Sequence, residues 1–386
     1  MLPAHISAGH TSRRPVVAHP PVNAAPFLWF DHDCAVRLVL LVRSAAVTVL
    51  AGGALALGVA GAPALADATL ACGTQTQGVI DDGYAASAQA IYQGELASPE
   101  VKADLGHVTS SGALARALAA GDQAAVMSAT HALVYHLHWH IVRLRVLSSS
   151  GQLLADVGGP YVLAPVAGQI TYKGSVVGRF LMSVQDDLGY EKLITRFTGV
   201  PIELYSGAVP LMGRDFPAAD VPSSIPPTGT AMSVGGAKSV AVTLSLLAFP
   251  SGRVSALLAV PAATRALSAL SCVAVTADTY GSISKHLARR LNLRHDAGAY
   301  VGFDNVFDPH KLIFLRVGAR QIGSTNNLPG PVSIPRSGPV SYNGQSWLVY
   351  SFASNHSVVV YLLFPDGTPS PGATGATGAT SATGAS

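Results

Sequence analysis

Charged side chains are scarce in this sequence. Lys, Arg, Asp and Glu make up 12% of its 386 residues, against about 25% in a typical soluble domain. The formal net charge is +3, and it falls to +1 without residues 1–66, which carry four arginines and two aspartates. A near-neutral chain lacks the positive field that attracts nucleic acid, so we predict no nucleic-acid partner. The 49% hydrophobic content argues against disorder.

The common catalytic and nucleotide-binding motifs are also missing. The sequence has no Gly-x-Ser-x-Gly, no His-Glu-x-x-His, no P-loop and no Rossmann glycine cluster after a strand. The residue pattern therefore names no reaction and no cofactor, and we predict a protein that is not an enzyme and has no cofactor.

The apolar run Ala45–Val59 is short for a membrane span. It covers about 15 residues, whereas roughly 20 are needed to cross a bilayer. Arg37 and Arg43 precede it and small residues follow it, which indicates a secretory signal peptide over residues 37–66. An uncleaved membrane anchor is the alternative. Residues 1–36 resemble no targeting element and are interpreted as an extension from a misassigned start codon.

Cysteine is rare as well. Of the three cysteines, Cys34 lies upstream of the predicted mature chain, which leaves Cys72 and Cys272. An even pair in an exported protein predicts one disulfide. Each cysteine shortly precedes a helical stretch, so the bond would tie two helix starts together.

Two Ala-rich segments open the mature chain. Apolar residues at helical spacing predict helices over Gln77–Gln93 and Gly112–Leu133, with a short element beginning at Ser98-Pro99 between them. At the other end, residues 367–386 are Gly-Ala-Thr repeats, which cannot bury a core and predict a flexible tail.

After the second helical segment, the apolar period changes to two. His136, His138 and His140 alternate with apolar residues, which predicts a strand with three imidazoles on one face. Such a face could hold Zn²⁺ or Cu²⁺. A partly exposed strand edge without metal is the alternative. The phase slips at Ile141-Val142, which predicts a bulge.

One spacing of proline and glycine occurs three times. Pro-x-x-Gly-x5-Gly begins at Pro165, Pro226 and Pro335, each time between an earlier extended run and later ones. Glycine at both fixed points fits turns that need positive φ. Three occurrences in one strand context predict an α+β fold, with three related hairpin–loop–hairpin units of antiparallel sheet behind N-terminal helices.

Within the first unit, Val142–Val146, Gly151, Leu154–Asp156 and Gly174–Phe180 follow the pattern of a known family. The chain resembles the Cache (PDC-type, PAS-like) extracytoplasmic sensor domains through these residues.

The resemblance also implies a domain organisation. It covers residues 67–261 as a Cache-like sensor domain, and residues 262–366 are expected to form a second, smaller PAS-like domain.

In that family a small metabolite binds between the sheet and its covering loop. A lysine or arginine there suits a carboxylate ligand. Asp186 also has a structural interpretation, as the cap of the helix that follows it. The resemblance implies that Tyr161, Lys173 and Arg179 line such a pocket. Gln185, Asp186 and Tyr190 stand where a predicted strand ends and a helix begins, which predicts a place at the mouth of the pocket, where helix-start N–H groups help bind an anion.

The favoured function is therefore an exported, non-enzymatic sensor-type protein that binds a small molecule. Because family members pass their signal through a membrane helix, a membrane-bound or cell-surface partner protein is also implied. One rival is an exported metal-binding protein or metal-dependent enzyme that uses His136, His138 and His140. Another is a structural or adhesive surface protein without a pocket.

Overall fold

A computed structural model describes residues 71–160, 162–211, 213, 215–354 and 357–366. The predicted extension, signal peptide and tail lie outside these residues, as does Tyr161. The described chain combines helices with antiparallel sheets, so the α+β prediction is confirmed.

The helices come in two groups, one before the first sheet and one between the sheets. Short 3₁₀ turns cover Gly73–Gln75 and Thr325–Asn327. The α-helices are α1 (Thr76–Leu96), α2 (Pro99–Thr109), α3 (Gly112–Ala120), α4 (Gln123–Val134), α5 (Asp187–Thr198), α6 (Arg265–Ser268), α7 (Cys272–Ala288) and α8 (Ala297–Phe307).

The single helix predicted over Gly112–Leu133 is wrong, because the chain breaks it into α3 and α4. Gly121 ends α3 with a left-handed φ of 67°, a conformation that glycine adopts at little cost. Asp122 then caps α4, accepting a hydrogen bond from the backbone N–H of Ala125 at 3.0 Å. A glycine–aspartate pair therefore acts as both a stop and a start signal.

Helix α1 is the central packing element. It lies against α7, α5, α8, β8 and β9. A Cβ on Gly83 would come within 2.8 Å of the Thr279 side chain, so glycine allows the close approach of α1 to α7. Cys72 and Cys272 form a disulfide beside the starts of these two helices, which confirms the predicted pairing.

The first sheet is four-stranded and antiparallel, in the order β2-β1-β4-β3. Residues 136–140 are not part of it, since they form a turn and an irregular segment before β1. The strand and the bulge predicted there are wrong: the change of phase marks the entry into β1. The strands are β1 (Arg143–Ser148), β2 (Leu153–Gly158), β3 (Pro165–Tyr172) and β4 (Ser175–Ser183).

The second and third sheets are five-stranded and share one strand order. They run β6-β5-β9-β8-β7 and β11-β10-β14-β13-β12, with all pairs antiparallel. The strands are β5 (Ile202–Ser206), β6 (Val209–Pro210), β7 (Ala231–Val234), β8 (Ala237–Leu247), β9 (Arg253–Pro261), β10 (Leu312–Val317), β11 (Arg320–Ser324), β12 (Ser337–Tyr342), β13 (Gln345–Ala353) and β14 (Val359–Pro365).

The glycines of the threefold spacing lie at related places. Gly174, Gly235 and Gly344 have positive φ in the turns β3–β4, β7–β8 and β12–β13. Gly168 does not have the positive φ that was expected; it lies inside β3, where a Cβ would overlap the Phe180 ring. The four-stranded first sheet also lacks the extra strand of the other two. The three-unit repeat therefore stays a prediction.

The buried core runs through both halves of the described chain. One hydrophobic cluster includes residues from Cys72 to Phe364 and joins the helices to all three sheets. Gln77 links α1 to the end of β9. Its Oε1 accepts a hydrogen bond from Ala263 N at 2.6 Å, and its Nε2 donates one to Pro261 O at 3.3 Å. The predicted division after residue 261 stays a prediction.

None of the helices in the described part of the chain has the length and apolar character that crossing a bilayer requires.

Candidate functional site

The sequence-predicted ligand residues do not meet in one pocket. Lys173 and Arg179 lie exposed on the β3–β4 hairpin. Asp186 caps α5, accepting a hydrogen bond from the backbone N–H of Gly189. Tyr190 is fully buried, and its hydroxyl donates to the carbonyl oxygen of Ala88 at 3.1 Å. Their ligand-binding roles stay predictions, and their observed contacts are structural.

Gln185 does line a cavity. The cavity has a volume of about 150 Å³ and lies where the end of α1, the start of α2 and the end of β4 meet α5 and the helices before the third sheet. Its wall combines residues from both predicted domains. The lining residues are Glu95, Ser98, Glu100, Val101, His140, Val184, Gln185, Leu193, Arg196, Phe197, Leu287, Leu291 and Phe303.

Glu95 and Gln185 form the polar end of this cavity. In the amide orientation that satisfies both of its ends, Gln185 Nε2 donates to Glu95 Oε2 at 3.1 Å, and its Oε1 accepts from the backbone N–H of Tyr190 at 3.0 Å. Burial, reinforced by the charge of Glu100, raises the pKa of Glu95 to about 7. Near neutral pH, Glu95 can therefore either accept or donate a hydrogen bond to a bound molecule.

Arg196 adds a positive charge to the same wall. It is half-buried on α5, and burial, together with the charge of Arg290, lowers its pKa. Ser98 has a structural role, because its hydroxyl accepts a hydrogen bond from Val101 N at 3.2 Å and caps α2. The polar groups thus present carboxylate, amide and guanidinium chemistry at one side of the cavity.

The apolar part of the cavity lining comes from three helical segments. Leu193 and Phe197 come from α5, Leu287 and Leu291 from α7 and the turn after it, and Phe303 from α8. The rings of Phe197 and Phe303 lie 5.4 Å apart between centroids. An apolar wall with a few converging polar groups is the usual form of a small-molecule site.

An outer cleft of about 260 Å³ adjoins the cavity and shares Glu100 and His140 with it. Trp139 lies between two imidazoles there, stacked on His107 at 4.2 Å and on His136 at 3.9 Å. The backbone N–H of His140 donates to the buried Asp104 at 3.0 Å.

The predicted metal face is not formed as expected. His136, His138 and His140 are exposed on the segment before β1 and do not share the face of a strand. In the described chain no group of three or more His, Cys, Asp or Glu side chains is arranged to hold a metal ion. Metal binding by these histidines stays a prediction without a formed site.

Side chains pack beneath the covering loops of the second and third sheets. Tyr205 and Phe216 are buried beneath the loop before β7, and Tyr205 Oη donates to Pro222 O at 3.0 Å. Under the loop before β12, Tyr342 Oη donates to Pro329 O at 2.7 Å. These contacts tie each loop to its sheet, and the ligand site that the family resemblance implied between a sheet and its loop stays a prediction.

Sequence reasoning missed Glu95 and Arg196. Both lie near the end of a helix, and a charged residue there in a chain with so few charges is the signal that could have marked them. It could not have shown that two residues 101 positions apart line one cavity.

The comparisons with known proteins leave the family open. No protein-family model matches this chain, and no curated protein matches it either. Two crystal structures of the periplasmic domain of Vibrio cholerae LuxQ are 12% and 13% identical to it. They cover 76% of this chain and 97% and 99% of their own, each with a TM-score of 0.14. That score lies too low to carry an argument.

Proposed function

We propose that this protein is an exported, non-enzymatic, sensor-type protein that binds a small molecule in the cavity between α1, α5 and the helices before the third sheet. The observation that carries the proposal is the cavity itself, whose lining combines apolar side chains with Glu95, Gln185 and Arg196. The disulfide supports a location outside the cytoplasm, where such bonds persist.

The lining defines the ligand by its chemistry. A volume of about 150 Å³ suits a small molecule with an apolar body facing Phe197 and Phe303. Its polar end would meet Arg196, which suits a carboxylate, and Glu95 with Gln185, which suit a hydrogen-bond donor. The Cache resemblance adds a membrane-bound or cell-surface partner protein to which the occupied state would be reported.

Thermal unfolding of the mature chain in the presence of a metabolite library tests the proposal. A ligand at 100 times its Kd stabilises the folded state by about 2.7 kcal/mol. Glu95→Gln and Gln185→Leu should reduce the response to any hit, since both change the polar end of the cavity. Lys173→Gln and Arg179→Gln are matched controls on the exposed hairpin and should leave the response unchanged.

Two results would count against the proposal. A hit that stabilises all four variants as much as the parent chain would place its binding elsewhere. The absence of any hit would favour the structural or adhesive alternative.

A further inference from the structure

Two buried carboxylates of the second sheet each have an oxygen without a partner. Glu191 on α5 is 2% exposed and Glu203 on β5 is 1% exposed. One oxygen of each is held by the backbone: Leu204 N donates to Glu191 Oε1 at 3.2 Å, and Gly213 N donates to Glu203 Oε1 at 3.1 Å. The Oε2 atoms of both are buried and, among the described residues, accept no hydrogen bond.

The unpartnered oxygens converge on Gly213. A Cβ at that position would lie 2.5 Å from Glu203 Oε2 and 2.7 and 2.8 Å from the two carboxylate oxygens of Glu191. Only glycine lets the two carboxylates approach the backbone this closely. The two carboxylates are thus brought together from a helix and a strand, close enough for one ion to reach both.

Nearby negative charges raise the free energy of ionising both Glu191 and Glu203. Burial, together with the charge of Glu203, raises the pKa of Glu191 to about 8, and Asp215 and Asp187 add to the effect. Burial raises the pKa of Asp215, and the hydrogen bond that it accepts from Thr195 Oγ1 and the charge of the exposed Lys192 offset this only in part. Two ionised carboxylates in one buried site need a compensating cation or a shared proton.

We propose that Glu191 and Glu203 bind a divalent cation of the Ca²⁺ class beneath the loop at Gly213. Carboxylate oxygens are hard ligands that suit Ca²⁺, and the backbone hydrogen bonds to the Oε1 atoms hold the free Oε2 atoms in place. Two side chains do not complete the six to eight ligands typical of Ca²⁺, so backbone carbonyls and water supply the rest. The bound ion links the loop before β7 to α5. The site is separate from the proposed ligand cavity.

Calorimetric titration and thermal unfolding of the full mature chain with CaCl₂, with MgCl₂ and with EDTA test this site at neutral pH. In the parent chain, Ca²⁺ should bind and raise the Tm, and EDTA should reverse the rise. Glu191→Gln, Glu203→Gln and Gly213→Ala should each weaken Ca²⁺ binding by more than about tenfold, the lower bound for losing support of a metal site. Asp81→Asn is the matched control, because it neutralises a different buried carboxylate on α1, and it should leave the Ca²⁺ response intact.

Each contrary outcome has its own reading. If Ca²⁺ changes neither heat nor Tm in the parent chain and Glu203→Gln raises the Tm at alkaline pH, a shared proton holds the pair and the proposal is overturned. If Ca²⁺ has no effect on the parent chain and Glu203→Gln leaves the Tm unchanged or lowers it, the chain itself compensates the pair and the proposal is again wrong. If Ca²⁺ binds equally to all the glutamine variants, the ion lies elsewhere.

Discussion

The second and third sheets share their strand order, but the charged groups buried beside them differ. In the second, α5 supplies Glu191 opposite Glu203 on β5, and both are acidic. In the third, α8 supplies Asp304, and its partner is Lys311, one residue before β10, with Lys311 Nζ 3.8 Å from Asp304 Oδ2 and both side chains fully buried. The third sheet thus has a buried counter-ion beside Asp304, although Asp304 Oδ2 accepts no hydrogen bond, whereas in the described part of the second unit the Oε2 atoms of Glu191 and Glu203 have neither. Similar architecture therefore does not fix the electrostatics of its interior.

The covering loops show the same contrast. In the third unit Gln321 is fully satisfied, donating to Ser324 Oγ and Leu328 O and accepting from Gly330 N. In the second unit the loop is held by Glu203, which still has an unpartnered oxygen. The neutral amide of Gln321 needs no counter-ion, whereas the buried carboxylate of Glu203 needs a counter-ion or a proton.

Breaking the buried ion pair of the third unit should give the largest effect. Lys311→Met leaves Asp304 as an uncompensated buried charge, so we expect about 3–5 kcal/mol of lost stability in urea unfolding. Lys311→Met combined with Asp304→Leu should recover most of that loss, since no charge then remains. A double variant as unstable as the single one would contradict the electrostatic explanation.

The second unit should respond to pH in the opposite sense to an ordinary salt bridge. The folded pKa of Glu191, about 8, lies above its ordinary 4.5, so the folded chain binds this proton more tightly than the unfolded chain. In EDTA, the stability from this proton is full below about pH 4.5 and is lost as the pH rises to about 8. Glu191→Gln should flatten this decline in chemical unfolding measured across that range.

Glu95→Gln is the control for that experiment. The pKa of Glu95 is about 7, so its own contribution ends about one pH unit earlier. If Glu191→Gln and Glu95→Gln change the decline between pH 7 and 8 equally, the assignment to Glu191 is wrong.

The first sheet holds a partly buried cluster of charges that can be compared with the buried ones of the other two sheets. Asp156 accepts hydrogen bonds from the guanidinium groups of Arg143 and Arg145 at 2.7–3.1 Å, and both stack near the Phe249 ring. Asp156→Ala leaves the two arginines facing each other, so we expect a loss of about 2 kcal/mol in urea unfolding. Arg179→Ala, exposed on the same sheet, should stay within about 0.5 kcal/mol of the parent chain.

The pKa of Asp156 is lowered. Partial burial opposes the shift, and the hydrogen bonds from Arg143 and Arg145 outweigh it. Its contribution is therefore present above the ordinary pKa of an aspartate and is lost as the pH falls through the lowered value. An Asp156→Ala chain that lost stability at low pH as steeply as the parent would exclude this pair as the cause.

The smallest effect should come from the tyrosines that hold the covering loops. Tyr205→Phe and Tyr342→Phe each remove one hydrogen bond to a proline carbonyl, which should cost about 1 kcal/mol apiece. Hydrogen exchange of the two loops would localise the change. A loss confined to one sheet would show that the loops are held differently despite their shared strand order.

Much of the fold could be predicted from local patterns. The extended runs predicted to follow the second and third occurrences of the Pro-x-x-Gly-x5-Gly spacing correspond to β8 and β13. Their period of two and their glycine turns are properties of adjacent residues, so they can be read along the chain. The strand prediction failed at residues 136–140. Polar and apolar residues alternate there as they do in a strand, but the segment is irregular and leads into β1.

The candidate site was largely beyond prediction. Of the five predicted ligand residues that the structure describes, only Gln185 lines the cavity, and the charged residues beside it there, Glu95 and Arg196, come from α1 and α5. A pocket depends on which faces of distant elements meet, and a one-dimensional period carries no such information.

The sequence by itself determined the helices, the hairpins and the cysteine pair, because propensity, turn geometry and the scarcity of cysteine act locally or by elimination. Only the tertiary structure decided that α1 lies against both halves of the chain, that a cavity opens beside Glu95, and that Glu191 faces Glu203. Those outcomes arise from burial, which brings together side chains far apart in sequence and raises the free energy of any charge left without a partner.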